Sequence, residues 1–545
     1  MDGLCWLDQE LPFRRRSGRV DLLTPLAITD AHEDDPVVAV ETGHPVTDLG
    51  FRFLLRDLLQ IALAPPDEEA WAELWFAPPE PERLAAAFAP YRRALVLDDP
   101  AFPAMQVRPE ADDGSGEPLP LGLLLPDAPS NNELKNQRAF FAHAPAVDAV
   151  GAGVVLPLFY ADMVLFPSAG GGYFGVPTGA QSVKFAVGAG SLWRSLWANV
   201  LSGDDPFWPK GTTFPAPCDG AVFPWLDPTL RRLALGRGPA GTREVKAEDR
   251  HPAAIPMPRR YLLEPPTEGR CSLTGVEGPV FRTYRRWPVG LRYDPEGFRT
   301  VWAAERETWT RSGKEWTQSS SEVVKVETPL RFDDWLEAAF WSERSPPSAE
   351  TTARTWKRVI PAPVVRRAAE RVEKLEAELL VEAAALVLEG KVPAASAERR
   401  QPLYARRLQE ELQLAERVHR LVAALGEMGD ALARAGKAAG AEGELPERLR
   451  DALLTAMDAA AVAYPARVVE AWRAHPEEAD FDLAVGRIET EILEAARRRA
   501  VELFDEAFPL VTLDGETRRV LAARRALVRA LRSIVDRFAV REEEG

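Results

Sequence analysis

Phe166-Pro-Ser-Ala-Gly-Gly-Gly-Tyr-Phe-Gly-Val-Pro-Thr-Gly-Ala180 is a glycine-rich turn. It is held between an apolar run, Gly151 to Phe166, and an apolar segment bearing tryptophans, Ser191 to Leu201. Three glycines in a row give up more chain entropy on ordering than any other triplet. They fit where the backbone must take positive φ or come very close to something. Upstream lies a polar loop, Ser130-Asn-Asn-Glu-Leu-Lys-Asn-Gln-Arg138, which ends in the aromatic pair Phe140-Phe141. Brought together, these pieces suit a nucleic-acid backbone and base edges; they equally suit a tight turn beside a structural loop. Val147 to Phe166 reads as buried strand and Val183 to Val187 as alternating strand. Arg194 to Leu201 reads as helix, with Trp193 and Trp197 on one face as core.

Working outward, residues 1 to 30 predict short strands around the basic turn Arg14 to Arg19. Thr47 to Leu63 carries apolar residues at helical spacing behind a Thr47/Asp48 cap and stops at Pro65-Pro66. Further helices are expected at Asp67 to Phe76 and Pro81 to Tyr91. Prolines break up Ala94 to Asp127 and Gly203 to Pro266. Between Arg259 and Arg292, arginines alternate with Tyr261, Phe281, Tyr284 and Trp287, a pattern that can grip phosphates and stack on bases or simply decorate strand faces. Val323 to Val326 reads as strand and Asp333 to Trp341 as a short helix.

Beyond Pro361 the composition shifts to Ala, Leu, Glu and Arg with a period near 3.6. Helices are expected over Val364 to Leu388, Leu403 to Lys437, Leu445 to Arg473, Phe481 to Phe508 and Thr517 to Phe538. The fold class is therefore α+β: a mixed N-terminal domain over 1–360 and an all-α, four-helix-type bundle over 361–545. In the last helix Arg518, Arg525, Arg529 and Arg532, with Arg519 and Arg524, meet no acidic residue until Asp536. Such a face either solvates itself or tracks phosphates or an acidic partner.

The 545 residues are 46% hydrophobic with a net charge of −16, so nucleic acid would have to be met through local basic patches. The three cysteines contain no C-x-x-C spacing, which argues against a disulfide scaffold or cysteine zinc site and fits a reducing cytoplasm. No run of about 18 apolar residues and no charged-then-apolar leader is found, so a cytoplasmic protein without a membrane role is expected. The phosphate cradle G-x-x-x-x-G-K-[ST], H-E-x-x-H and G-x-S-x-G are absent, and the six histidines have no metal-ligand spacing. Nothing in these motifs points to an enzyme, a cofactor or a metal, and a catalytic dyad assembled from distant residues stays open.

Several segments carry a resemblance in register. Gly170-Gly-Gly-Tyr173, Ser182-Val-Lys-Phe-Ala-Val-Gly188 and Leu192-Trp-Arg-Ser-Leu-Trp-Ala-Asn-Val-Leu201 resemble a stretch of the CasA family. These are the large subunits of the type I-E CRISPR surveillance complex, Cascade. Phe102-Pro-Ala-Met-Gln106, Leu11 to Ile28, Trp316-Thr-Gln318 and the closing bundle are similar to further parts of that family.

The resemblance implies a non-catalytic DNA-binding subunit that recognises the protospacer-adjacent motif in double-stranded DNA and helps unwind the target. Its implied partners are crRNA, the other Cascade subunits and a recruited helicase-nuclease. Guide pairing reads most of the sequence in such systems, leaving the protein a short motif and backbone shape. Carried across, Ser168, Ala169, Gly170, Gly171 and Gly172 form the groove-entering turn. Asn136, Gln137, Arg138, Phe140 and Phe141 belong to the loop that meets crRNA and the motif. Family members often place a lysine before a Trp-Pro; this chain has Arg282, Arg285 and Arg286 before Trp287-Pro288. The turn corresponding to their wedge, around Arg344, Ser348 and Glu350, lacks the family's glutamine. The alternative is a helical scaffold whose arginine-rich last helix docks an acidic protein partner without nucleic acid. A hydrolase assembled from dispersed residues is a third reading.

Overall fold

The computed structural model describes residues 3–108, 117–126, 128, 147–167, 175–229, 243–287, 290–294, 298–312, 315–326, 330–341, 354–389, 392–509 and 515–538. Two compact units interleave along the chain. Met1–Ala304, Val323–Pro329 and Ala362–Arg400 form the first; Glu305–Glu322, Leu330–Pro361 and Gln401–Gly545 form the second.

The first unit is built on helix α1 (Pro45–Leu63). Pro45 sits in the first turn, where its missing N–H costs nothing. The His44 ring accepts from the Val46 amide, and Asp48 accepts from the Thr42 amide at 2.7 Å. Helices α2 (Glu68–Phe76), capped by Asp67, and α3 (Pro81–Phe88) follow. The expected strand over Val147 to Phe166 is instead a two-residue strand, β5 (Val150–Gly151), running into helix α4 (Ala152–Tyr160) and a π-helical turn (Ala161–Leu165). Every residue of α4 is buried, so the sequence has no polar face to betray a helical period. Packing of α4 on α1 needs Gly50: a Cβ there would stand 2.1 Å from the Pro157 carbonyl oxygen.

Four tryptophans join α2 to α5 (Leu192–Trp197). Trp75 stacks on Trp71, Trp71 on Trp197 and Trp197 on Trp193, with centroids 5.2–6.3 Å apart and interplanar angles of 12–18°. Such pairs are worth about 0.5–1.5 kcal/mol each beyond their buried area. Trp71, Trp193 and Trp197 also donate their indole N–H groups to buried carbonyls. These tryptophans are core, as their spacing indicates. Arg371, in α7 (Pro363–Arg371), lies 3.8 Å from the Trp71 ring centroid and pairs with both oxygens of Glu68.

Short sheets surround these helices. They are β1 (Leu11–Arg15) between β2 (Val20–Leu23) and β3 (Val37–Val40), β10 (Glu277–Phe281) between β5 and β9 (Thr267–Arg270), and the parallel pair β7 (Arg243–Val245) and β12 (Leu291–Tyr293). A fourth sheet has β11 (Thr283–Trp287) between β4 (Glu117–Pro120) and β8 (Arg260–Leu263). The last orders β17 (Val392–Pro402), β16 (Leu380–Glu389) and β6 (Lys184–Gly188). Here a second expectation is corrected. Val364 to Leu388 is not one bundle helix: it is helical only through α7, and from Leu380 it pairs antiparallel with β6, Leu380 opposite Gly188 and Ala384 opposite Lys184. Strand pairing on a buried partner overrides the helical propensity of this Ala-, Leu- and Glu-rich run.

The second unit holds a three-stranded sheet, β14 (Glu315–Val323), β13 (Glu305–Ser312) and β15 (Thr355–Ile360), and two short helices, α6 (Phe332–Trp335) and α8 (Arg406–Glu411). Four long helices follow: α9 (Leu414–Ala439), α10 (Leu445–Ala474), α11 (Glu478–Ala507) and α12 (Gly515–Asp536). They pack as the expected bundle, with buried Leu421, Leu425, Leu453, Val468, Leu493 and Leu531 among the core residues. Glu489 is buried within it and accepts hydrogen bonds from Tyr464 at 2.6 Å and Arg420 at 3.0 Å, which keeps its charge compensated. By length and composition α10 is apolar enough to cross a membrane, and Leu453, Leu454, Ala461 and Val468 on it are buried within the protein.

Candidate nucleic-acid interface

The residues expected to enter the groove (168–172), the loop residues Asn136 to Phe141 and the wedge residues Arg344, Ser348 and Glu350 lie outside the described residues. What is described is the base of the glycine-rich segment. A Cβ on Gly175 would stand 3.0 Å from Cβ and Cγ of Pro167, so the chain enters and leaves residues 168–174 at close range. On the C-terminal side Gly179 donates its amide to the Val176 carbonyl and takes φ +72°, a turn that glycine adopts without strain.

Lys184 sits beneath this base. It lies on β6, fully buried, and its ammonium donates to the carbonyls of Ser182 (2.8 Å), Gly179 and Ala180 (3.2 Å each) and to the Ser182 hydroxyl at 2.8 Å. Burial pushes its affinity for a proton well below that of an ordinary lysine. No functional reading of the sequence singles it out. The signal is present, a lone charge between Val183 and Phe185-Ala-Val187 on a strand buried on both faces.

The arginine–aromatic alternation resolves into two roles. Tyr261 and Tyr284 point into the core, with ring centroids 5.1 Å apart, and Arg259 is buried against Asp162 at 2.7 Å, sharing that carboxylate with the Tyr261 hydroxyl. Arg282 is exposed and paired with Asp148 at 2.9 Å; Arg285, paired with Glu264 at 2.6 Å, and Arg286 are half-buried. Of the two, only the Arg282–Asp148 pair is exposed on both sides, and exposed pairs of that kind contribute about 0–1 kcal/mol.

In the second unit, α12 carries the remaining basic residues named from the sequence. Arg518, Arg525, Arg529 and Arg532 are exposed, and their spacing of seven, four and three residues puts them on one stripe. Their neighbours Arg524 and Arg519 are occupied, by Asp505 at 2.6 Å and by the Ala439 carbonyl at 3.1 Å. None of the four stripe arginines has a carboxylate partner among the described residues.

Elsewhere Cys5, Cys218 and Cys271 are free thiols, and among the described residues no group of three metal-ligating side chains converges.

The model of the CRISPR-associated protein Cse1 family matches residues 7–502. The chain belongs to the Cse1 family. Solved relatives share the fold at low identity. CasA (Cse1) of Thermus thermophilus aligns at TM-score 0.58 and 17% identity, over 98% of this chain and 100% of that one. Cse1 of Acidimicrobium ferrooxidans aligns at TM-score 0.61 and 16% identity, over 98% and 99%. A chain of a structure described as a CRISPR RNA-guided surveillance complex aligns at TM-score 0.59 and 14% identity, over 96% and 99%. Comparison with functionally curated proteins gives no match. The segment from Lys184 to Leu201 is a buried strand followed by a tryptophan-bearing helix, at the base of the glycine-rich segment.

Proposed function

We propose that this chain is the non-catalytic large subunit of a type I-E Cascade complex, assembled with crRNA and the other subunits. In this reading residues 168–172 enter the minor groove of double-stranded DNA at the protospacer-adjacent motif. A backbone without side chains fits a narrow groove, and the degenerate readout there suits a permissive motif. Asn136 to Phe141 meet crRNA, Arg282, Arg285 and Arg286 neutralise nearby phosphates, and the turn at Arg344, Ser348 and Glu350 helps part the strands. The assembled subunit offers a surface to the recruited helicase-nuclease. The observation that carries the reading is the family match over residues 7–502. The close approach of Pro167 and Gly175 supports it locally, because a pinned base lowers the entropy lost when a turn orders on DNA.

The test is purification from the native host with identification of bound RNA and polypeptides, followed by Gly171→Asp. A carboxylate thrust at the phosphate walls should weaken duplex binding by about tenfold or more while leaving assembly intact. Unchanged target binding would remove the turn from the mechanism. A second reading, docking of an acidic protein on the α12 stripe, is favoured by four arginines that have no carboxylate partner among the described residues; it requires binding that DNA competitors do not affect.

A further inference from the structure

A cavity of about 570 Å³ lies within the first unit, walled by α1, the end of α4 and the segments around Phe207, His251 and Trp302. Small-molecule sites run from roughly 300 to 1,000 Å³, so the space suits one compact ligand. Its walls combine flat rings with guanidinium groups. Phe207 packs edge-on against Trp208, centroids 4.9 Å apart, and the Arg299 guanidinium stands 5.5 Å from the Phe207 centroid at the exposed rim. Tyr293 and Trp302 add further aromatic lining.

The lining also includes Arg56 and Arg250, 4% and 8% exposed. Arg56 Nη2 stands 2.8 Å from Asp57 Oδ1 but out of line for a hydrogen bond. Asp57 Oδ2 is already taken by the Tyr160 hydroxyl. Arg250 pairs with Asp227 at 3.5 Å through Nη2, while its Nε and the hydroxyl of Thr300 are buried with no hydrogen-bond partner. His251 is committed to the Thr213 carbonyl at 3.1 Å. Two buried cations and a hydroxyl therefore keep donor capacity unmet beside a ring-lined space, whereas native interiors satisfy nearly all such groups. An apolar guest would leave those donors unmet. A bare inorganic anion would leave the aromatic walls uncovered. An acceptor-rich anion joined to a flat ring meets both.

We propose that this cavity binds a single nucleotide unit, its base against the aromatic rings and its phosphate on the guanidinium groups. The same chemistry has two sources, a free nucleoside monophosphate or an unstacked nucleotide of a bound single strand. The proposal goes beyond the duplex-sensing reading and is measured without it, on the full-length free chain.

Tryptophan fluorescence and calorimetry with adenosine monophosphate, adenosine, inorganic phosphate and a short oligothymidylate test it. Adenosine monophosphate should saturate, with adenosine and phosphate each at least about tenfold weaker, since each keeps one half of the interactions. Phe207→Ala and Arg299→Ala, at half-buried and exposed positions, should each weaken binding about tenfold in a chain that remains folded at the temperature of the titration. Saturation by the oligothymidylate but not the mononucleotide, weakened by the same substitutions, assigns the site to a strand nucleotide. Failure of both probes to titrate, or titration indifferent to both substitutions, overturns the proposal. Gly171→Asp should leave nucleotide binding unchanged, so failure of the duplex reading is distinguishable from failure here.

Discussion

The Lys184 ammonium nitrogen lies 4.8 Å from the centroid of the Phe166 ring, so the last aromatic residue before the glycine-rich segment is tied to the first strand after it. The centroid of Trp302 stands 5.9 Å away, and the hydrogen bonds go to the carbonyls of Gly179, Ala180 and Ser182 and to the Ser182 hydroxyl. Carbonyl dipoles and ring faces hold this cation; a carboxylate does not take part in its hydrogen bonding.

That arrangement gives a pH signature. Burial lowers the proton affinity of Lys184 in the folded chain relative to the unfolded one, whose value is near 10.5. Between the two values the unfolded state binds more protons, so wild-type stability should rise with pH through a window lying below 10.5. Lys184→Met lacks this contribution. Urea unfolding of both proteins at about pH 7 and about pH 10 should show wild type gaining on the variant at the higher pH. An equal gap at both values would mean that the ammonium keeps its ordinary proton affinity.

Gly50→Ala should destabilise the first unit although alanine is the better helix former. The gain in propensity is about 1 kcal/mol, whereas a Cβ 2.1 Å from the Pro157 oxygen and 3.1 Å from the Ala161 Cβ forces α1 and α4 apart. Overpacking of that kind costs about 1–3 kcal/mol. A net loss of at least about 1 kcal/mol in chemical denaturation is expected; a stabilised variant would show that the helices separate freely.

The long helices were legible because polar and apolar residues alternate along them at helical spacing and Gly440 closes α9. Where burial is complete the period vanishes. Val154-Val-Leu-Pro-Leu-Phe159 is apolar on every side and carries two β-branched residues, so strand and helix were indistinguishable until α1 supplied the partner surface. The hairpin from Leu380 to Pro402 was hidden for the opposite reason, an Ala/Glu-rich run whose pairing with β6 is set by residues nearly 200 positions away. The α12 stripe needed only spacing, and its exposure follows from it. The cavity draws its wall from residues 56 to 302, a convergence no local pattern encodes.

Asp334 offers a second titration, within the second unit. Burial, then the neighbouring Asp333, pushes its carboxyl up to about 7 from 3.8, while the Arg331 amide donates to it at 3.1 Å. The folded chain then binds the extra proton between about pH 4 and 7, so stability should fall as pH rises through that interval, by at most about 4 kcal/mol. Asparagine imitates the neutral carboxyl and can still accept from the Arg331 amide. Asp334→Asn should therefore flatten the decline. A variant with the same slope as wild type would place the titration elsewhere.

The α12 stripe predicts how nucleic-acid binding responds to salt. Arg525 and Arg529 are exposed and, among the described residues, free of carboxylate partners, so Arg525→Glu/Arg529→Glu removes no ion pair and should change stability by less than about 0.5 kcal/mol per site. If the stripe follows a phosphate backbone, each phosphate that is no longer neutralised lowers the slope of log K against log salt by about 0.9 on duplex DNA. The double variant should then bind the assembled complex's target DNA more weakly at low salt, with a slope shallower by about 1–2 and curves that converge as salt rises. Fluorescence anisotropy across a salt series measures both quantities. Weakened binding to the other subunits, with an unchanged salt slope on DNA, would instead give the stripe to an acidic protein surface, because the removed charges would then have had no phosphates to release counterions from.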